Sequence, residues 1–199
     1  MTLKLSAKSL TLAKWFVDAA YAVRDDYKSQ SGVMMTMGTG AMLGKSTKQK
    51  GNSKSSTEAE LMAAGDASSQ IIWTKNFMEA QGYTTSTANL YQDNKSAILL
   101  EKNGRMSCGK NTKHINIRYF FITDYIKKGY INVEYCPTRK MVADFFTKPL
   151  QGALFTMFRD MIMGIIPMDE VGYSKAPQWE RVGNQNVTKN MSHRIVTIL

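Results

Sequence analysis

The stretch Lys14-Trp-Phe-Val-Asp-Ala-Ala-Tyr-Ala22 carries one acid, Asp18, at the centre of an otherwise apolar and aromatic run. A run this short and this apolar reads as a buried strand. An ionised carboxylate inside such a strand is costly unless a counter-charge or a set of hydrogen bonds meets it. Any fold for this chain must therefore bury the strand and still provide for Asp18.

The elements that follow narrow the choice of fold. Arg24 to Gly32 is charged and turn-rich, and Val33–Met37 and Ala41–Ser46 read as two further strands around the hairpin signal Gly38-Thr-Gly40. Three strands joined by short turns make an antiparallel meander. A basic loop from Lys45 to Lys54 leads into Ser55-Ser-Thr-Glu-Ala-Glu-Leu, which offers two overlapping capping boxes, Ser55 with Glu58 and Thr57 with Glu60. Leu61, Ala64, Ile71 and Ile72 then share one helical face, and Gly82 stops that helix after about Gln81. The spacing predicts a strand over 88–92, a helix over 95–102 and a loop over 103–113. A helix over 114–128 and a strand over 130–135 come next. A last helix begins at Met141, is interrupted at Pro149 and resumes over 155–165. The predicted class is α/β, with a five-stranded mixed sheet flanked by helices. Residues 1–11 read as a lead-in, 12–165 as the domain, and 166–199, where periodicity is lost, as a poorly ordered tail.

Charge points to a partner. The formal net charge is +10, and residues 1–150 hold 21 Lys and Arg against 12 Asp and Glu, so +9 lies in the domain rather than the tail. A basic domain suits a polyanion, nucleic acid first and an acidic membrane surface second. Cys108 and Cys136 stand alone, without the paired spacing of a zinc site, and fit a reducing compartment. No apolar run approaches the roughly 20 residues of a membrane span, and the N-terminus lacks a signal-peptide core. A soluble intracellular protein is expected.

Four acids fall at structural junctions: Asp18 in the central strand, Glu60 in the first turn of the main helix, Asp93 at a strand end, and Asp144 at the start of the last helix. Strand ends and helix N-termini of an α/β sheet can converge on one side, and carboxylates crowded there need cations. An all-oxygen cluster suits Mg²⁺. Each acid also has a plainer explanation. Asp18 could serve a structural hydrogen bond, Glu60 the reciprocal cap of Thr57, Asp93 an ordinary turn with Asn94, and Asp144 the helix dipole.

Taken together, five ordered blocks are diagnostic. Phe-Val-Asp18-Ala-Ala-Tyr, Lys-Ser-Ser-Thr-Glu58-Ala-Glu60-Leu, Tyr-Gln-Asp93-Asn-Lys-Ser-Ala, Lys113-His-Ile-Asn-Ile-Arg-Tyr and Val-Ala-Asp144-Phe-Phe-Thr-Lys-Pro-Leu150 closely resemble the signature blocks of the ribonuclease H domain of copia-type retrotransposon Pol polyproteins. The likeness covers roughly residues 12–165. It implies a ribonuclease H-like fold, with a three-strand antiparallel meander plus two further strands. It also implies a catalytic tetrad at Asp18, Glu60, Asp93 and Asp144, with Glu58 left as a capping or solvent-facing acid. The cofactor so implied is a pair of Mg²⁺ ions, or Mn²⁺ in their place, with Asp18 shared, Glu60 and Asp93 completing one site and Asp144 the other. Cellular and retroviral relatives carry a His in the loop before the last acid. Here that stretch is Cys136-Pro-Thr-Arg-Lys-Met, as copia-type domains generally lack the His, and the group that moves the proton is undefined.

The implied activity is endonucleolytic cleavage of the RNA strand of an RNA–DNA hybrid during reverse transcription, beside a reverse transcriptase in the same polyprotein. The implied setting is the cytoplasm, including retrotransposon particles. Ser56, Thr57 and Asn94 flank the acids and could read the hybrid, with N-capping as their plainer role. Candidates for the paired strand are Lys45, Lys48, Lys50 and Lys54 before the main helix, and Lys102, Arg105, Lys110 and Lys113 before the later one, with a solvated face as their plainer role. His114, inside a family block, takes either a structural or a substrate-facing role, and Arg139 with Lys140 in the loop before the last acid could shift metal or phosphate affinity. Beginning at Met1 without a polymerase, the chain is expected to be a piece of a larger or decayed element. The competing readings are an inactive hybrid-binding or structural module, and a related-fold nuclease or integrase acting on DNA.

Overall fold

The computed structural model of the chain describes residues 2–7, 9–104 and 121–168. In chain order its elements are β1 (Ser6–Ala7), β2 (Lys14–Ala20), β3 (Gln30–Thr36), β4 (Gly38–Thr39), β5 (Leu43–Lys48), α1 (Ser56–Ala80), β6 (Ala88–Gln92), α2 (Lys95–Asn103), α3 (Phe121–Lys127) and β7 (Ile131–Tyr135). Two short 3-10 segments, Thr138–Lys140 and Val142–Phe146, precede α4 (Gly152–Ile162).

The main sheet runs β5-β3-β2-β6-β7. The first three strands pair antiparallel, while β2 with β6 and β6 with β7 pair parallel. This is the ribonuclease H-like arrangement, a meander extended by two parallel strands. Side chains alternate across β2, as a strand requires. Trp15, Val17 and Ala19 enter the core with Ala59, Ala63, Ala64, Ala67 and Ile71 of α1. Small residues on that helix face allow it to lie close against the sheet. Phe16 points the other way, into a second core with Met34, Tyr91, Met141, Val142, Ala143, Phe158 and Met161. The central strand is thus buried on both faces, and Asp18 belongs to the Phe16 face.

Two glycines bring the chain's last third down onto that second face. A Cβ at Gly32 would lie 2.7 Å from Thr147 Cγ2 and 2.8 Å from the Ala143 carbonyl oxygen, and one at Gly44 would lie 2.8 Å from the Phe146 ring. Gly32 pairs directly with Asp18 across β2 and β3. The segment around Phe146 can therefore rest on the sheet immediately beside the acid.

Several expectations are corrected. The third strand, expected over 41–46, runs from Leu43 through Lys48, so Lys48 belongs to β5 and not to a loop; pairing with β3 carries the ladder two residues further than hydrophobicity alone suggested. Gly38 and Thr39 do not merely turn the chain, but pair with Ser6 and Ala7. The helix expected from Met141 is a 3-10 segment, and α4 ends at Ile162 rather than 165. Of the helix expected over 114–128, the part up to residue 120 lies outside the described residues, as does the tail from 169.

Candidate active site

Register places the first two acids together. In the parallel pair β2–β6, Trp15 faces Leu90 and Phe16 faces Tyr91. Continued by two residues, the same register sets Asp18 beside Asp93, just past the end of β6, while the Phe16 and Tyr91 rings stack at 5.0 Å one step earlier. Glu60 joins them from the start of α1. One carboxylate oxygen from each of Asp18, Glu60 and Asp93 lies within 4.8 Å of the others.

The start of α1 distinguishes its two glutamates. Ser55 is the N-cap, accepting the Glu58 amide N–H at 3.1 Å, and Glu58 reaches back to accept the Lys54 N–H at 2.7 Å. Glu58 is thus the capping acid. The second capping box, Thr57 with Glu60, does not form. Glu60 instead accepts the Ala19 N–H of the central strand at 3.2 Å and the Gln92 side-chain amide at 3.2 Å. Those bonds aim it at the strand ends. Asp93 accepts the Thr138 hydroxyl at 2.8 Å, and the neighbouring Asn94 caps α2 by accepting the Ala97 N–H at 3.0 Å.

Asp144 stands on the far side of Asp18, joined to it by a lysine. Lys148 Nζ lies 2.9 Å from Asp144 Oδ1 and 3.5 Å from Asp18 Oδ1, and the Thr147 hydroxyl donates to Asp18 Oδ2. Thr147, Lys148, Gln92 and Thr138 escaped the assignment of roles from sequence. Lys148 follows Asp144 by four positions, a spacing that signals an ion pair on a helix, and Gln92 is a polar residue closing a buried strand.

Electrostatics reflect the crowding. Burial, then the charges of Asp18 and Asp93, pushes the Glu60 carboxyl well above the usual carboxylate range, against the pull of the Ala19 N–H and Gln92. Burial and the charge of Asp18 raise Asp144 to about 7, although Lys148 works the other way. Burial opposes the charge on Lys148, but Asp18, Asp144 and Asp93 outweigh it and hold the ammonium protonated above its ordinary range. Crowded carboxylates, of which Glu60 and Asp144 are raised by burial and by neighbouring negative charge, form a donor set suited to a hard divalent cation, which supplies the charge that protons otherwise provide. The triad's oxygen chemistry and spacing fit Mg²⁺.

The rest of the expected substrate contacts divide by location. Lys45, Lys48, Lys50, Lys54 and Ser56 are exposed and Thr57 is half-buried around the start of α1; Lys48 is paired with Asp26 at 2.6 Å. Lys102 and Arg139 are exposed, Arg139 one residue from the Asp93 partner Thr138. Arg105, Lys110, Lys113 and His114 lie outside the described residues. An open groove of about 350 Å³ beside Lys148 is lined by Arg24, Gln30, Ser46, Phe146 and Thr147. No helix among the described residues is long and apolar enough to cross a membrane.

Known proteins show the same relationship. Over 152 residues, 76% of this chain, it is 32% identical to the retrovirus-related Pol polyprotein from transposon TNT 1-94 of Nicotiana tabacum. It is 33% identical over 159 residues, 79% of the chain, to that from transposon RE1 of Arabidopsis thaliana. The chain is a homologue of transposon Pol polyproteins. It spans about a tenth of the length of these relatives, 11% and 10% respectively. No family model matches. Among solved structures, the chain overlaps LC11-RNase H1, isolated from compost by a metagenomic approach, with a TM-score of 0.49 and 15% identity, covering 69% of this chain and 94% of that one. In this Pol homologue the strand order, not that overlap, defines the fold class.

Proposed function

We propose that this Pol-related chain is a metal-dependent ribonuclease H, cleaving the RNA strand of RNA–DNA hybrids during reverse transcription of a retrotransposon, in company with a reverse transcriptase domain. The observation that carries the reading is the convergence of Asp18, Glu60 and Asp93 from two parallel strand ends and a helix start. The +9 excess over residues 1–150 supports a polyanionic substrate.

Asp18, Glu60 and Asp93 would hold one Mg²⁺, and Asp18 with Asp144 a second. Bound ions supply Lewis-acid stabilisation of the scissile phosphate and a water of lowered pKa. The chain's own part is positioning. The Ala19 N–H and Gln92 orient Glu60, Thr138 orients Asp93, and Thr147 orients Asp18. Ser56, Thr57 and Asn94, close to Glu60 and Asp93 in the sequence, would contact the hybrid's minor groove. Asn94 has its side-chain oxygen committed to the α2 cap, which leaves its NH₂ group as the donor for a sugar hydroxyl. Lys48, Lys50, Lys54 and Arg139 would meet the backbone phosphates, and Arg105, Lys110, Lys113 and His114 belong to the same proposal. Such contacts make cleavage largely independent of sequence and sensitive to salt.

The test is hydrolysis of a labelled hybrid, a DNA duplex and an RNA duplex by the chain, with Mg²⁺ and with chelator. RNA-strand cleavage of the hybrid alone, lost in chelator, is the expected result. Hybrid binding without cleavage would establish the inactive-module reading, and cleavage of the DNA duplex would establish a DNA nuclease.

A further inference from the structure

The acidic centre has two unlike halves. On one side the oxygens of Asp18, Glu60 and Asp93 face one another, with the Ala19 N–H and the Gln92 amide bonded to Glu60 and the Thr138 hydroxyl to Asp93. On the other side Asp18 and Asp144 are already bridged by a cation of the protein itself, the Lys148 ammonium. Its place is fixed from the backbone: the Thr147 and Lys148 N–H groups both donate to the Asp144 carbonyl, at 3.2 and 2.9 Å, and Pro149 follows at once. Thr147 donates to the other oxygen of Asp18, so both oxygens of that acid have a partner from the segment that carries Lys148. The two carboxylates are 2% and 4% exposed, whereas the lysine is 37% exposed. The carboxylates therefore cannot turn to water, but the flexible lysine stem can swing out through the groove it borders.

We propose that Lys148 is an internal counter-cation on the Asp18–Asp144 side of the centre, and that a second metal ion binds there only by displacing it. The inference rests on reading the cluster as a divalent-metal centre. Its consequence is strictly ordered loading: the triad takes the first ion, and the second competes with a tethered ammonium and binds much more weakly. A second consequence concerns the metal-free protein, in which Lys148 balances acids that would otherwise repel one another.

The test is Mn²⁺ titration of the full chain by calorimetry, alongside thermal melts in chelator and in excess Mn²⁺. Lys148→Met keeps the stem and removes the charge; Lys148→Arg keeps the charge. Wild type is expected to bind one ion tightly and a second at least about tenfold more weakly. Removing the competing ammonium should strengthen the second site by about tenfold, the equivalent of one partly exposed ion pair, and change the first site less. The Met variant should melt lower than wild type in chelator and recover most of the difference in Mn²⁺. The Arg variant should keep the two-step isotherm, and it carries the test if the Met variant does not fold: equal affinities at its two sites would then overturn the proposal. An unchanged isotherm in Lys148→Met, or equal strengthening of both sites, would also overturn it while leaving the metal-centre reading intact. Wild type that binds no Mn²⁺ would overturn both.

Discussion

Glu101 offers a sharp test of the electrostatics behind the site. It lies in α2 and is fully buried. Burial raises its pKa from 4.5 to about 8, with Gln92 and Lys102 only partly offsetting the rise. The folded chain thus holds a proton that the unfolded chain releases above about 4.5. Stability is fully present below that value and is lost as pH rises through about 8. A shift of about three and a half units corresponds to about 5 kcal/mol, of which about 3 is already lost at pH 7. Glu101→Gln mimics the protonated acid in shape and cannot ionise. Urea unfolding of both proteins from pH 5 to pH 9, followed by circular dichroism, should give stabilities within about 1 kcal/mol at pH 5 and a variant more stable by about 4 kcal/mol at pH 9. Glu60 and Asp144 also have raised carboxyls, but their contribution is common to both proteins and cancels in the difference. Parallel curves, or a wild type that gains on the variant with rising pH, would refute the reasoning.

Asp93→Asn should abolish hybrid cleavage while gel-shift affinity for the hybrid survives; full turnover would remove Asp93 from the proposed catalytic set. At subsaturating Mg²⁺, cleavage should fall as pH drops through about 7, because Asp144 must lose a proton to accept a cation, and raising Mg²⁺ should move the midpoint to lower pH. Ser55→Ala should cost about 1 kcal/mol in urea unfolding by removing the α1 cap, and no loss would mean that the Glu58 N–H finds another acceptor. Gly32→Ala should destabilise by about 1–3 kcal/mol and depress cleavage further than its stability loss explains, since the added carbon meets the backbone of the segment that carries Thr147 and Lys148.

Much of this architecture was legible in the residues, for identifiable reasons. A carboxylate within Trp-Phe-Val-Asp-Ala-Ala has few structural uses, and β2 is indeed the strand buried on both faces. Glu58 and Glu60 were separable only through the family resemblance, because local spacing offered a capping box to each; in the structure Ser55 and Glu58 form theirs, while Glu60 turns to the Ala19 N–H. What the sequence concealed depends on long-range contact. The β1–β4 pairing involves two residues on each side, too few for any periodicity to show. Lys48 looked like loop because β5 has exposed polar residues along most of its length, and only its ladder with β3 makes it strand. Lys148 could be suspected of meeting Asp144, but its approach to Asp18 requires the last third of the chain to lie on Gly32, which no local pattern reveals.

The bond between Lys148 and Asp18 joins positions 130 apart. A ribosome therefore delivers the central strand and both of its acidic neighbours long before the segment that roofs them. A copy of the gene interrupted by a stop codon ahead of Asp144 would still encode the meander and the long helix. It would leave Phe16, Met34 and Tyr91 bare to water on the unroofed side. Truncated copies of this chain should consequently be sticky, aggregation-prone products rather than tidy smaller domains.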